Sequence, residues 1–357
     1  MNFDLDEQQL MFERTIERFV AGSPGATRGV DFRSGEAAAA RWLELAELGL
    51  LALPASEAAG GIGGRPEDLV VTAQAMGKSL AADPWLECAY FPLRLLDAMP
   101  GCVEWTHRIV SGEQKIAVAF AESDTRYALD PRQVRSRRNG DGWALSGEKS
   151  FVLGGASADA YFVTAANDGG AALFAVQSTD AEARSYRLVD GSEAVVLTLR
   201  DCPGEWLGPL EPAFTVAVTE TKLAAAAEMV GLATHLFDDT LVYTRERTQF
   251  GRQLASFQAL QHRLVDCYAM LEQSRSMLWR AALTERDPDG RWMATIAGAK
   301  AFIAERALHI GHEAIQMHGG MGMSEELAIG HAHKRNLLLA RLFGDPATEL
   351  ASVAIAA

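Results

Sequence analysis

Two runs of residues carry the groups best able to do chemistry. The first is Arg245-Glu246-Arg247-Thr248-Gln249-Phe250-Gly251-Arg252-Gln253, followed by Leu254, Phe257-Gln258 and Gln261-His262. The second, Gln316-Met317-His318-Gly319-Gly320-Met321-Gly322, begins 54 residues after His262. Guanidinium forks suit phosphate oxygens, and glycines allow a backbone to come close to a ligand. Taken singly, neither run is specific. The first reads equally well as a surface helix with polar pairs one turn apart, and an isolated Gly-Gly-x-Gly is common. A third stretch, Ala59-Gly60-Gly61-Ile62-Gly63-Gly64, has the look of a phosphate cradle. It lacks a Gly-Lys-Ser/Thr ending and no strand leads into it, so it reads as a plain loop.

Composition narrows what these groups could serve. The chain has 357 residues, 48% of them apolar, enough for two or three domains with a sizeable core. A formal charge of −14 argues against nucleic acid and anionic membranes as partners, while leaving room for an anionic small ligand held by local positive charge. Cys88, Cys102, Cys202 and Cys267 are widely spaced, with no His at metal-ligand spacing, and read as reduced structural thiols. No apolar run reaches the roughly 18 residues of a membrane span. The opening Met1-Asn2-Phe3-Asp4-Leu5-Asp6-Glu7 is acidic where a secretory signal is basic, so a cytoplasmic location is expected.

The elements that must position these groups follow from periodicity. Leu5, Leu10, Phe12, Ile16 and Phe19-Val20 recur at helical spacing, with Asp4 or Asp6 as cap and Gly22-Ser23-Pro24-Gly25 as the stop. Helical patterning continues from Trp42 through Leu45, Leu48 and Leu50 to Leu53-Pro54, and over 66–81 and 84–99. After Gly112 the texture changes to short strands, among them 116–120, 134–137, 143–147, 161–164, 172–176 and 194–199. Asn139-Gly140-Asp141-Gly142 signals a hairpin between two of them. From Phe214 the pattern is helical again, in long segments to Tyr243, Phe257–Leu283 and Trp292–Met317, then a shorter one from about Glu325. The reading is an N-terminal helical domain (1–112), a middle antiparallel β-barrel or sandwich (113–208) and a C-terminal four-helix bundle (209–357): α+β, mostly α.

With both runs in this order, the chain resembles the acyl-CoA dehydrogenase family over essentially its whole length. Arg245–His262 is similar to the family's R-x-x-F-G-x-x-[IL]-x-x-x-Q segment, and Gln316–Gly320 to its Q-x-x-G-G, some 65 residues further on. The resemblance implies FAD held between two subunits, with Arg247 on the pyrophosphate. It places Gln249, Phe250, Leu254 and Gln258 along the adenosine side, and Gln316, Gly319 and Gly320 on the diphosphate and ribityl groups. His318 falls at a variable place and reads as packing or solvent contact. Glu148-Lys149-Ser150-Phe151-Val152-Leu153-Gly154-Gly155 resembles the segment whose aromatic packs on the isoalloxazine, which gives that part to Phe151; Leu153 stands where a hydroxyl is usual.

The implied reaction is α,β-desaturation of an acyl-CoA thioester: a carboxylate takes the α-proton while flavin N5 receives a hydride from Cβ. Electron-transfer flavoprotein is the implied acceptor. The family's usual base lies in Y-E-G-T, which here reads Phe343-Gly344-Asp345-Pro346, so the Glu falls on Gly344, or on Asp345 if the register slips by one. The alternative site of branched-chain members falls on Thr221, with Glu220 and Glu228 nearby. Asp345 is the best remaining candidate base; as Asp before Pro it reads rather more readily as a helix cap. Glu228 reads as a partnered structural charge. The loop Ala121-Glu122-Ser123-Asp124-Thr125-Arg126 also departs from the family's T/S-E-P-x-x-G-S-D. The Met1–Leu5 opening and the Leu342–Asp345 ending resemble the small-subunit type, as in the pimeloyl-CoA dehydrogenase small subunit. Two roles follow: a homo- or hetero-oligomeric subunit active through Asp345, or a non-catalytic partner that completes the FAD site of a related chain. A third is a superfamily relative that uses its flavin for a different reaction, such as oxidation with O₂.

Overall fold

A computed structural model describes the chain except residues 1–4, 24, 30–34, 100, 126 and 357. Asp4, Pro24 and Arg126 therefore lie outside the described residues. The helices are α1 (Glu7–Gly22), α2 (Glu36–Glu47), α3 (Pro66–Lys78), α4 (Phe91–Leu96), α5 (Val103–Val110), α6 (Ala213–Glu246), α7 (Gln258–Ala282), α8 (Arg291–His318), α9 (Ala328–Leu339) and α10 (Pro346–Ala356). The strands are β1 (Ile116–Ala119), β2 (Arg135–Asn139), β3 (Gly142–Leu153), β4 (Ala160–Asn167), β5 (Gly170–Gln177), β6 (Glu182–Arg187), β7 (Glu193–Pro209), β8 (Thr248–Gln249) and β9 (Arg252–Gln253). Helices, strands, helices is the expected order. No helix among the described residues is long and apolar enough to cross a membrane.

The chain forms two compact units, and both are discontinuous in sequence. One comprises 1–38, 65–82 and 222–357; the other comprises 39–64 and 83–221. In the first, α1 starts on a capping box, with Asp6 accepting from the Gln9 N–H and the Gln9 side chain accepting from the Asp6 N–H. Helix α3 lies against α6 so closely that a methyl on Gly77 or Gly231 would overlap the backbone of the facing helix. The long helices α7 and α8 pack along each other, joined where Arg263 donates to Glu313 at 2.5 Å.

In the second unit β2, β3, β7, β5 and β4 close on themselves, with β1 added beside β4 and β6 beside β7. The sheet is therefore a barrel. Most of its pairs are antiparallel; β1–β4 and the single β2–β4 bridge are parallel. The Asn139–Gly142 turn joins β2 to β3 as expected. Among the apolar side chains buried by these strands sits one polar network. Lys149, fully buried on β3, donates to Phe120 O, Glu122 Oε1 and Thr164 Oγ1 at 3.2, 2.7 and 3.0 Å. Glu122 also accepts the N–H groups of Arg132, Gln133 and Val134. The loop that departs from the family pattern is thus clamped at its glutamate. Burial pulls the Lys149 pKa down to about 8 against the pull of Glu122.

Every proton of that ammonium is accepted, so breaking the pair exposes the full cost of a buried charge. Lys149→Met is expected to lower the unfolding free energy by about 3–5 kcal/mol in a denaturant melt. A loss below about 1 kcal/mol would mean that Glu122 finds its charge balance elsewhere.

Candidate cofactor and proton-abstraction site

The Arg245–Gln253 run is where sequence reading and structure part. Instead of opening a helix, it forms a hairpin: β8 and β9 pair Thr248 with Gln253 and Gln249 with Arg252. Leu254 N–H closes onto Arg247 O at 2.9 Å. The turn residues Phe250 and Gly251 both have positive φ, 52° and 78°. That is the geometry of a type I′ turn, where an aromatic at the first position is strained. Phe250 is 88% exposed. Nothing within the described chain rewards this conformation beyond an edge contact with Phe257, whose ring also carries the Arg252 guanidinium. Strain of this kind marks places where the backbone serves something outside the fold.

Arg247, Gln249 and Gln258 are exposed, and among the described residues none of their side chains has a hydrogen-bond or ion-pair partner; Leu254 is half-buried between them. The second run sits at the C-terminal end of α8. Gln316 is exposed there with its amide free, and Gly319 ends the helix with φ 60°. Methyl groups built on Gly319 or Gly320 would meet only open space, so the backbone offers an uncovered ledge. The two runs belong to one place because Tyr243, one turn before Arg247, stacks on His318, two residues after Gln316, with ring centroids 4.2 Å apart. His318 is buried and Nδ1 meets Ala314 O at 2.8 Å, which makes it a packing residue. An unpaired guanidinium, three free amides and open glycine backbone form a donor set suited to a diphosphate. The residues present fit an FAD.

Phe151 lies in the other unit. Between Lys149 and Val152 the β3–β7 register shifts, and in that bulge Phe151 takes φ 55°. Ser150 N–H is turned instead to Ala121 O at 2.9 Å, at the foot of the Glu122 loop. A strained, half-buried aromatic at a bulge is where a strand re-aims a side chain.

The carboxylates near the two base positions are all engaged. Glu220 receives Arg94 Nε and Nη2 at 2.8 and 3.0 Å. Glu228, as expected, is a partnered charge, gripped by the buried Arg335 at 2.7 and 3.1 Å. Thr221 spends its hydroxyl on Ala217 O. Asp345 is half-buried and caps α10, its Oδ1 accepting the Thr348 N–H at 2.9 Å and the Thr348 hydroxyl at 2.8 Å. Sequence reading missed three residues here. Glu349, 1% exposed, lies beside Gly344 and is met by Lys222 at 3.0 Å and by Lys300 at 3.8 Å. Lys300 donates to Gly344 O at 2.6 Å. Burial lowers its pKa to about 8, with Glu349 opposing. The available signal was a lysine on the apolar face of α8, among Ala297, Ala299, Ala301 and Ile303.

Comparison with known proteins agrees with this layout. Residues 213–356 match the model of the acyl-CoA dehydrogenase C-terminal domain, and residues 6–88 that of the N-terminal domain. A probable acyl-CoA dehydrogenase of Bacillus subtilis is 28% identical over 356 residues, covering 92% of each chain. Among solved structures, the Tcur3481–Tcur3483 steroid ACAD superposes with a TM-score of 0.85 at 26% identity, covering 98% of this chain and 97% of that one. The butyryl-CoA dehydrogenase of Megasphaera elsdenii shares the fold with a TM-score of 0.87 at 20% identity, covering 100% and 99%.

Helices α8 and α9, which lead to the glycine ledge and to Gly344, are joined by a histidine contact. His333 packs in the interior against His312 with centroids 4.7 Å apart, in room left by Gly311, where any side chain would overlap its ring. Burial, then the neighbouring His312, depresses the His333 pKa from 6.5 to about 4. Between these values the unfolded chain binds the proton and the folded chain does not. Stability is therefore full above pH 6.5 and lost as pH falls toward 4. The loss amounts to about 3 kcal/mol at most. His333→Phe should flatten the fall of the denaturant midpoint across that window. An unchanged slope would assign the acid sensitivity to other groups.

Proposed function

The chain belongs to the acyl-CoA dehydrogenase family, and from that premise we propose that it is an FAD-binding subunit of an oligomer that desaturates a CoA thioester at its α,β bond. Its part is to lend Arg247, Gln249, Phe250, Leu254 and Gln258, with Gln316, Gly319 and Gly320, to a cofactor shared with a neighbouring chain. The observation that carries this is the hairpin: an unpaired guanidinium and a strained, outward aromatic beside an open glycine ledge. When bound, the flavin supplies the two-electron acceptor for the hydride from Cβ. Arg247 would neutralise phosphate charge and the glycine backbone would donate to the diphosphate; in the other unit, Phe151 would pack against a flavin ring system. Electron-transfer flavoprotein would be the electron acceptor of the assembly.

The α-proton is taken by a carboxylate of the partner chain. What supports this reading is that the acids near the two base positions are otherwise occupied: Glu220 and Glu228 are each held by an arginine, Glu349 is buried against Lys222 and Lys300, and Asp345 caps a helix. A base must be able to approach the proton it removes, and an ion-paired or fully buried carboxylate cannot. The subunit is accordingly of the small, partner-completing type, and the double name of the Tcur3481–Tcur3483 steroid ACAD supports an assembly of two related chains. A second reading, favoured by the position of Asp345 directly after Gly344, makes Asp345 the base of this chain's own site.

Arg247→Ala should weaken FAD retention about tenfold or more on dilution and gel filtration, the value of one charge-assisted contact. Undiminished retention would remove the hairpin from the cofactor site. In the assembled protein, Asp345→Asn should leave anaerobic bleaching of the flavin by an acyl-CoA intact and change stability little, because Asn caps a helix about as well as Asp. Abolished bleaching with FAD still bound would establish the second reading.

A further inference from the structure

Gly344 is followed after one turn of α10 by a buried carboxylate that no donor fully satisfies. Lys222 Nζ lies 3.0 Å from both oxygens of Glu349 and is hydrogen-bonded to Oε2. The other oxygen, Oε1, has no hydrogen-bond partner. It stands where a side chain on residue 344 would begin: a Cβ built on Gly344 overlaps Oε1 and comes within 3.1 Å of Cδ. Ordinarily the far end of a glutamate swings away from such an intruder at little cost. Here it is tied from two sides, by Lys222 on α6 and by Lys300 on α8, and Lys300 also fixes the carbonyl of Gly344 itself. The backbone adds a second barrier, since Gly344 has φ 152° and the preceding Phe343 has φ 60°.

We infer that Glu349 is a positioning residue that plugs the side-chain space of position 344, with Lys222 and Lys300 as its anchors. On the reading of this chain as the subunit without its own base, the empty position is not merely vacant. It is filled by an anchored carboxylate drawn from the next helix, and the three charges latch α10 and the 343–345 segment to α6 and α8. Glu349 is itself unable to serve as a base, because its charge is already matched by the two ammonium groups and it has no open approach. The glycine at 344 and the glutamate at 349 are therefore one device, and each is tolerated because of the other.

The coupling is measurable without cofactor or substrate. Unfolding of the full chain is followed in denaturant for the parent, Gly344→Ala, Glu349→Ala and the double variant. The strained φ contributes to Gly344→Ala in both backgrounds, but the overlap contributes only when Glu349 is present. Gly344→Ala is thus expected to lower the folding equilibrium constant at least tenfold less in the Glu349→Ala background than in the parent. Lys300→Met, which frees one anchor, should give partial relief in the same direction, and Glu349→Gln, which keeps the shape, should give little. Additive effects within twofold would overturn the proposal. Should Gly344→Ala alone fail to fold, recovery of folded protein in the double variant supports the inference, and its absence counts against it. Because the readout is stability, the outcome is independent of FAD retention by Arg247, where the functional reading stands or falls.

Discussion

A carboxylate removed from water must recover its lost hydration from cations or N–H groups, and that requirement organises both units of this chain. In the barrel, Glu122 takes an ammonium and three backbone N–H groups at once, so a loop, two strands and a barrel interior are fixed around one side chain. In the helical unit the same need draws Arg335 of α9 onto Glu228 of α6, and Lys222 and Lys300 onto Glu349 of α10. Such pairs add little net stability over apolar packing of equal volume. What they impose is register, because a helix slipped by one residue would leave charges buried and unmatched.

The same accounting separates structure from chemistry. Acids placed near the family's two base positions look alike in sequence, and their partners tell them apart. Glu220 and Glu228 each face an arginine fork, an arrangement that keeps both carboxylate oxygens occupied. Arg247 shows the converse. It is a guanidinium that the chain leaves unmatched, on a hairpin whose Phe250 is held in an unfavourable conformation. Beside buried acids such as Glu122 and Glu228 that are met by cations, an open donor set next to bare glycines is an informative contrast.

Much of this was legible in the sequence where the signal was local. Helical spacing located α1, α6, α7 and α8, and Asn139-Gly140-Asp141-Gly142 located the β2–β3 turn. Asp4 or Asp6 could be named as the cap of α1 from type and place, and Asp6 is found in that position. The hairpin at Thr248–Gln253 could not be found by periodicity, because strands of two residues have no period to detect. The bulge at Phe151 was hidden for a different reason: its strand reads as continuous, and the break is set by the register of β7. The Lys222–Lys300–Glu349 cluster joins residues up to 127 positions apart, which no pattern within one element can show.

Separation in sequence also explains why the departures from the family pattern had to be weighed on the structure. A missing glutamate at Gly344 reads as a loss, and an aspartate one place later reads as its replacement. The cap on Thr348 and the anchored Glu349 change that account, since the segment is built to run without a side chain at 344. Restoring a carboxylate there would require the backbone to leave φ 152° and Glu349 to leave two ammonium groups. Both movements would have to happen in the same interior, where each alone is costly. A single substitution cannot supply them together, so the absence of a glutamate at this position is a property of three helices and not of one residue.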